Sequence, residues 1–332
     1  MKIAVLGAGS WGTTIALHLH KNDYEVALWE FFPEYAEVLQ ERRENAKFLP
    51  GFKIPEDIQI TSEIIIAIAE AKVIVLAVPS HIMRSLAERL KPFNLQNVLL
   101  VSVAKGIENK TLLRMSQVIA QELPLLKNNI VVLSGPSHAE EVVRDIPTTI
   151  VAASQGLKKA EHIQKIFMSP CLRVYTNTDV IGVELGGSLK NIIAIACGIS
   201  DGLGFGDNTK AALMTRGMHE ITRLGVAMGA KKETFAGLTG IGDLITTCIS
   251  RHSRNRNYGE MLGKGLTPEQ ALSKMIMVVE GIRTTKSAYI LAKKYKIEMP
   301  ITEQIYAVLF KRKKAKDAGR NLMMREAKPE HR

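Results

Sequence analysis

The first dozen residues leave this chain few folds to choose from. A short β-branched run, Ile3 to Leu6, feeds directly into Gly7-Ala8-Gly9-Ser10-Trp11-Gly12, and an amphipathic stretch starts at Thr13. The GxGxxG spacing is common by itself, but between a strand and a helix each glycine has its own duty. Gly7 permits the tight turn, Gly9 lets a pyrophosphate approach the backbone, and Gly12 allows helix and strand to pack closely. The helix N-terminus then offers free N–H groups to phosphate oxygens. Such a unit opens a doubly wound sheet and binds a dinucleotide.

The rhythm that follows agrees. Ile3 to Leu6, Glu25 to Trp29, Ile58 to Thr61, Val73 to Val78, Val98 to Val103, Ile130 to Leu133, Thr149 to Ala152 and Leu172 to Tyr175 read as strands. Several are apolar at every position, as strands buried on both faces of a mostly parallel sheet should be. Amphipathic stretches alternate with them, such as Thr13 to Lys21, Pro33 to Arg43, His81 to Leu90 and Thr111 to Glu122. After about Asp179 the strands stop. Residues 180–199, 208–229, 254–263, 281–295 and 302–316 show 3.6-residue periodicity, broken at Asp201 to Gly206 and Gly237 to Gly242. The expected architecture is α/β: a dinucleotide-binding domain over residues 1–180 with a Rossmann-type, mostly parallel sheet, then an all-helical substrate-binding and catalytic domain over 181–332.

Charge divides the chain at the same place. The 332 residues carry a formal net charge of +11. Residues 1–180 hold 19 basic and 19 acidic side chains, so the whole excess lies beyond them, with +6 in the last 22 residues. No aromatic-interleaved basic patch or DNA-reading motif accompanies it, so nucleic acid is not an expected partner. The most apolar run, Ile64 to Val78, is interrupted by Glu70 and Lys72 and is short of a bilayer span. With no leader pattern at the N-terminus and three scattered cysteines, Cys171, Cys197 and Cys248, the expectation is a cytoplasmic protein with free thiols, not integral to a membrane. Nothing in the pattern calls for a metal.

Ligands of doubly wound sheets sit beyond the carboxyl ends of the strands. A carboxylate at the end of the second strand, Glu30, would accept from a ribose 2′-OH and repel a 2′-phosphate; with Phe31 beside it and Arg42 and Arg43 farther along, NAD(H) is favoured and NADP(H) still admitted. Val78-Pro79-Ser80, Val103-Ala-Lys105-Gly106 and Ser134-Gly135-Pro136-Ser137 close the fourth, fifth and sixth strands. Lys105 at such a mouth suits a ligand-binding cation, while Gly135 and Ser137 suit a small polar or phosphorylated substrate. In the helical half, Gly186 and Gly187 lie one turn before Lys190, leaving that helix face bare for a close approach. A lysine held in a partly desolvated crevice beside another cation would have a lowered pKa fit for proton transfer. Asp243 follows a glycine pair. Ser250 to Arg256 carries three arginines ahead of a helix and looks like a phosphate-binding arm, and Val278-Val279-Glu280 places a carboxylate before another helix.

Together these segments resemble the NAD(P)-dependent glycerol-3-phosphate dehydrogenases of bacterial type. Gly7 to Gly12, Val78 to Ser80, Ser102 to Glu108, Leu133 to Ser137, Glu184 to Asn191, Asn208 to Leu213, Gly240 to Leu244, Ser253 to Arg256 and Val279 to Gly281 occur in order along nearly the whole chain. The resemblance implies reversible reduction of dihydroxyacetone phosphate to sn-glycerol 3-phosphate, for glycerophospholipid synthesis, while the large helical domain with apolar faces suggests a homodimer. By motif, Lys190 would be the proton donor and acceptor, helped by Lys105 and oriented by Asp243. Lys105, Gly135, Ser137, Lys190, Asp243, Ser253, Arg254 and Asn255 would surround the substrate. Gly7, Gly9, Ser10, Trp11, Gly12, Glu30, Phe31, Lys105, Ala139, Arg254, Val278 and Glu280 would hold the cofactor. Two departures from the family pattern stand out: His138 occupies a position that is often aromatic, and Phe31-Phe32 one that is commonly basic. A 6-phosphogluconate-type dehydrogenase is the competing enzyme, and a dinucleotide-sensing regulator the competing non-enzyme.

Overall fold

A computed structural model describes residues 1–327, 329 and 330. The tail residues Lys328, His331 and Arg332 lie outside that set. All eight expected strands form: β1 (Lys2–Leu6), β2 (Glu25–Trp29), β3 (Gln59–Thr61), β4 (Val73–Leu76), β5 (Leu99–Ser102), β6 (Ile130–Ser134), β7 (Thr148–Ala153) and β8 (Leu172–Asn177). They make one sheet in the order β3-β2-β1-β4-β5-β6-β7-β8. Pairing is parallel from β3 to β6, then β7 runs antiparallel to β6 and β8 parallel to β7. The reversal follows from the β6–β7 connection, whose only helix, α6, has four residues; a parallel return needs a longer crossover.

The remaining helices of the sheet half are α1 (Ser10–Lys21), α2 (Pro33–Arg42), α3 (Ile64–Ile68), α4 (Met83–Leu90), α5 (Met115–Glu122), α6 (Ala139–Val142) and α7 (Leu157–Phe167). They cover both sheet faces, each with its own apolar core. Because the chain leaves β1 toward β2 on one side and enters β4 on the other, a crevice opens at the carboxyl ends of these strands.

The helical half comprises α8 (Val180–Gly202), α9 (Asp207–Ala227), α10 (Lys232–Phe235), α11 (Asp243–Ile249), α12 (Arg254–Gly263), α13 (Pro268–Ser273), α14 (Glu280–Tyr295), α15 (Pro300–Phe310) and α16 (Ala315–Met323). Asp179 caps α8, its carboxylate accepting from the Gly182 amide at 2.9 Å. Nearly every residue of α8 is buried, which explains its apolar composition: it is the axle of this half. Two expectations need correction. The stretch 302–316 is two helices, since Arg312 takes a left-handed φ of 54° inside a run of four like charges. The break at Gly237–Gly242 is instead a π turn, Leu238–Gly242, that leads into α11. Part of the basic tail is also ordered, with Ala318 of α16 buried.

Against α8 lies α12, joined by a seam that the glycine spacing encodes. A Cβ on Gly198 would stand 2.0 Å from the Arg256 carbonyl oxygen, and one on Gly202 2.2 Å from that of Glu260. Reciprocally, a Cβ on Gly259 would stand 2.2 Å from the Ile195 carbonyl and one on Gly263 2.4 Å from that of Ile199. Any side chain there would part the helices. This seam places the start of α12 beside the middle of α8.

Candidate active site

The glycine loop has the geometry its sequence requires. Gly7 sits at φ +118°, and a Cβ on it would meet the Ala77 carbonyl oxygen at 2.7 Å; one on Gly12 would meet the Gly7 carbonyl at 1.8 Å. Gly9 faces open space, and no side chain caps α1 there. Ser10 Oγ is buried without a hydrogen-bond partner, a donor that a phosphate oxygen would satisfy. Ala139 approaches α1 from the far side of the crevice, its carbonyl accepting from Thr14 Oγ1 at 3.5 Å. Open backbone, free helix N-terminus and orphaned hydroxyl together fit a dinucleotide pyrophosphate.

At the end of β2 the details differ from the sequence reading. Glu30 is buried and turns Oε1 back to accept from the Phe32 amide at 3.1 Å, and burial raises its pKa. Arg43 does not approach this edge; it binds the carbonyls of Pro55 and Ile58 and the Glu56 carboxylate. The cation beside the exposed Phe31 is Arg89 of α4, its guanidinium carbon 4.6 Å from the ring centroid. A basic group thus stands near the missing family position, supplied by another element. The sequence gives no periodic signal for that contact.

Across the crevice, four expected residues converge. Lys190 Nζ donates to Asp243 Oδ1 and, at 2.6 Å, to Thr247 Oγ1. Lys105 Nζ donates to the other carboxylate oxygen, Asp243 Oδ2, at 2.8 Å and to the Gly135 carbonyl at 2.8 Å. One carboxylate therefore holds two ammonium groups, one from each half of the chain. Lys190 and Asp243 are almost wholly buried. Burial pulls the Lys190 pKa down to about 7, with Lys105 pushing the same way and Asp243 opposing. Thr247, one turn after Asp243 on α11, belongs to this group; the i, i+4 spacing was the available signal.

The glycines before Lys190 serve the protein's own packing, which corrects the expectation of a bare face awaiting a ligand. A Cβ on Gly186 would strike the Thr239 carbonyl at 2.4 Å, and one on Gly187 the Ser134 hydroxyl at 2.6 Å. Their absence of side chains lets the π turn and the β6 end close on α8, and so assembles the lysine pair.

The arginine arm is split by the structure. Arg254 keeps a solvent-accessible guanidinium in the crevice, held by the Val278 carbonyl at 3.3 Å; the surrounding walls desolvate it and lower its pKa. Arg256 is turned away and pairs with Asp201 and Glu260, so it is no part of a phosphate site. Ser253 caps α12, accepting from the Arg256 amide at 3.2 Å. Asn255 is buried, donating to Asn191 Oδ1 at 2.9 Å and accepting from the Gly281 amide at 2.9 Å, which fixes α12 against α8 and α14. Ser137 Oγ donates to the Gly135 carbonyl at 3.0 Å. Glu280 uses both carboxylate oxygens on Ser80, accepting from its amide at 2.8 Å and its hydroxyl at 2.6 Å, and so links the two halves at the cofactor edge. A second buried link, Glu184 with Arg114 and Ser116, joins the same halves; only long-range pairing defines it.

Residues 2–160 match the family model described as NAD-dependent glycerol-3-phosphate dehydrogenase N-terminus, and residues 179–320 the corresponding C-terminus. A protein of Pelotomaculum thermopropionicum named glycerol-3-phosphate dehydrogenase [NAD(P)+] is 56% identical over 310 residues, 93% of this chain and 89% of that one. A protein of the same name from Thermoanaerobacter sp. is 54% identical over 99% of both chains. The crystal structure of glycerol-3-phosphate dehydrogenase from Coxiella burnetii superposes with a TM-score of 0.93 at 37% identity, covering 98% of this chain and 99% of that one.

Proposed function

The chain belongs to the NAD-dependent glycerol-3-phosphate dehydrogenase family, and from that premise we propose how its own residues convert dihydroxyacetone phosphate reversibly to sn-glycerol 3-phosphate with NAD(H) or NADP(H). The observation that carries the assignment of roles is the triangle of Lys190, Asp243 and Lys105. When bound, the dinucleotide supplies or accepts the hydride. Gly7, Gly9, Ser10, Trp11 and Gly12 would hold its pyrophosphate, Ala139 and Val278 would line its site, and Glu30 with Phe31 would meet its ribose. A carboxylate at the end of β2, Glu30, would accept from a 2′-OH and repel a 2′-phosphate, which supports NAD(H) as the preferred carrier.

Everything else falls to side chains. Lys190 and Lys105 direct two positive charges at the carbonyl oxygen where negative charge develops, in a desolvated pocket where such charges act strongly. Lys190, poised near pH 7, delivers the proton to that oxygen in reduction and removes it in oxidation. Asp243 orients both ammoniums without leaving its own hydrogen bonds. Arg254 binds the substrate phosphate, with the Ser253 cap and the Asn255 bridge fixing its helix; Gly135 and Ser137 line the opposite wall. This remote binding holds the reacting carbon in place.

The domain boundary near residue 180, a cytoplasmic location, supply of glycerophospholipid synthesis and a homodimer belong to the same proposal. Exposed Phe205, Phe310, Met323 and Met324 on the helical half support self-association. A spectrophotometric assay of NADH and NADPH oxidation tests the whole: turnover with dihydroxyacetone phosphate and none with 6-phosphogluconate is expected, and the reverse pattern sinks it. Sedimentation tests the dimer.

A further inference from the structure

His138 follows Ser137 in the turn between β6 and α6, on the sheet side of the crevice. Its Nε2 is buried and has no hydrogen-bond partner, a state that native folds ordinarily relieve. The ring lies 6.0 Å from that of His252, centroid to centroid, and His252 directly precedes Ser253 and Arg254 on the opposite wall. His138 therefore lies within electrostatic reach of the lysine pair and against the loop that leads into Ser253 and Arg254. The groups acting on it are Lys190 from α8, Lys105 from the turn after β5, Glu140 and Glu141 from its own helix, and His252 across the gap. Burial and the two lysines hold the imidazole below the usual histidine range against the two glutamates, so it is neutral near pH 7.

We propose that His138 is a phosphate contact, its Nε2 hydrogen-bonding an oxygen of the bound triose phosphate from the wall opposite the loop that leads into Arg254. The inference rests on the triose phosphate reading above. A phosphate dianion beside the ring favours the imidazolium, so binding draws a proton from solvent onto His138; no bond to carbon or phosphorus changes. A phenyl ring at this position would fill the place but could not donate there.

Calorimetric titration of sn-glycerol 3-phosphate into the full-length protein, at about pH 7.5 in buffers of different ionisation enthalpy, reads this proton directly. The unmodified protein should take up protons. His138→Phe should lose that uptake and bind about tenfold more weakly, the scale of one charge-assisted hydrogen bond. His138→Gln, which keeps a donor, should lose the uptake yet recover most of the affinity. In kinetics, His138→Phe should lower kcat/KM for dihydroxyacetone phosphate about tenfold while leaving unphosphorylated dihydroxyacetone unaffected. Unchanged proton uptake in His138→Phe, or an equal loss with dihydroxyacetone, would overturn the contact. Binding with proton uptake but without turnover would instead overturn the reaction and leave the contact standing.

Discussion

At the residue scale the chemistry turns on how one carboxylate serves two cations. Asp243 satisfies Lys190 and Lys105 at once, and burial leaves Lys190 with a pKa of about 7. Reduction needs the ammonium, so its kcat/KM should fall as pH rises through about 7, while glycerol 3-phosphate oxidation should rise over the same range; parallel profiles in both directions would remove Lys190 from proton transfer. Lys190→Met should lower kcat by about 10²–10⁴-fold in stopped or continuous assays. The same shift has a stability sign. The folded chain releases this proton near pH 7 whereas a free lysine holds it to about 10.4, so this group's contribution to stability rises with pH across that window, and Lys190→Met should flatten that part of a denaturant-midpoint profile. Arg254→Ala should raise KM for the phosphorylated ketone about 10- to 100-fold with a smaller change for the carrier; equal KM would deny it the phosphate. Lys105 and Lys190 were legible because one follows a buried apolar strand directly and the other shares a helix face with two glycines, whereas Asp243 and Gly135 drew their roles from the family resemblance. Thr247, Arg89 and the inward turn of Glu30 were not, since each depends on contacts between elements distant in sequence.

At the scale of elements, the strands were readable from short β-branched runs, several of them apolar throughout, and α8 from its 3.6-residue periodicity. Helices α3, α6, α7, α10, α11 and α13 were not among the stretches named; all but α7 are too short, at four to seven residues, to show a helical period. The seam between α8 and α12 was written in the sequence as two glycine pairs four residues apart, but only their mutual approach gives the spacing meaning. Gly259→Ala would push a methyl group into the Ile195 carbonyl. We expect a loss of about 1–3 kcal/mol in stability by chemical denaturation. The same variant should raise KM for the triose phosphate, because Arg254 rides on α12. An unchanged KM at reduced stability would show that the seam carries no positional information.

At the scale of the whole molecule, the two halves meet through paired side chains concentrated on the strand mouths. Glu280 on Ser80, Glu184 on Arg114 and Ser116, and Asp243 on Lys105 all cross the boundary. Glu280→Gln replaces one acceptor with a donor facing the Ser80 amide. It should weaken NADH binding about tenfold in a fluorescence titration while leaving the melting transition cooperative. Unaltered binding would mean that this link only holds the halves together. The charge asymmetry also resolves at this scale. The sheet half is neutral yet lends Lys105 to the crevice, while part of the helical excess is spent internally, as Arg256 on Asp201 and Glu260.

The glycine seam has one more effect. Lys190 and Arg254 belong to two helices whose backbones touch, with Asn191 and Asn255 bonded across them. No rotamer change can lengthen the span between the two helices. On the roles proposed above, the helix that carries the proton donor and the helix that carries the phosphate contact move as one body, so every substrate meets the same backbone spacing between them.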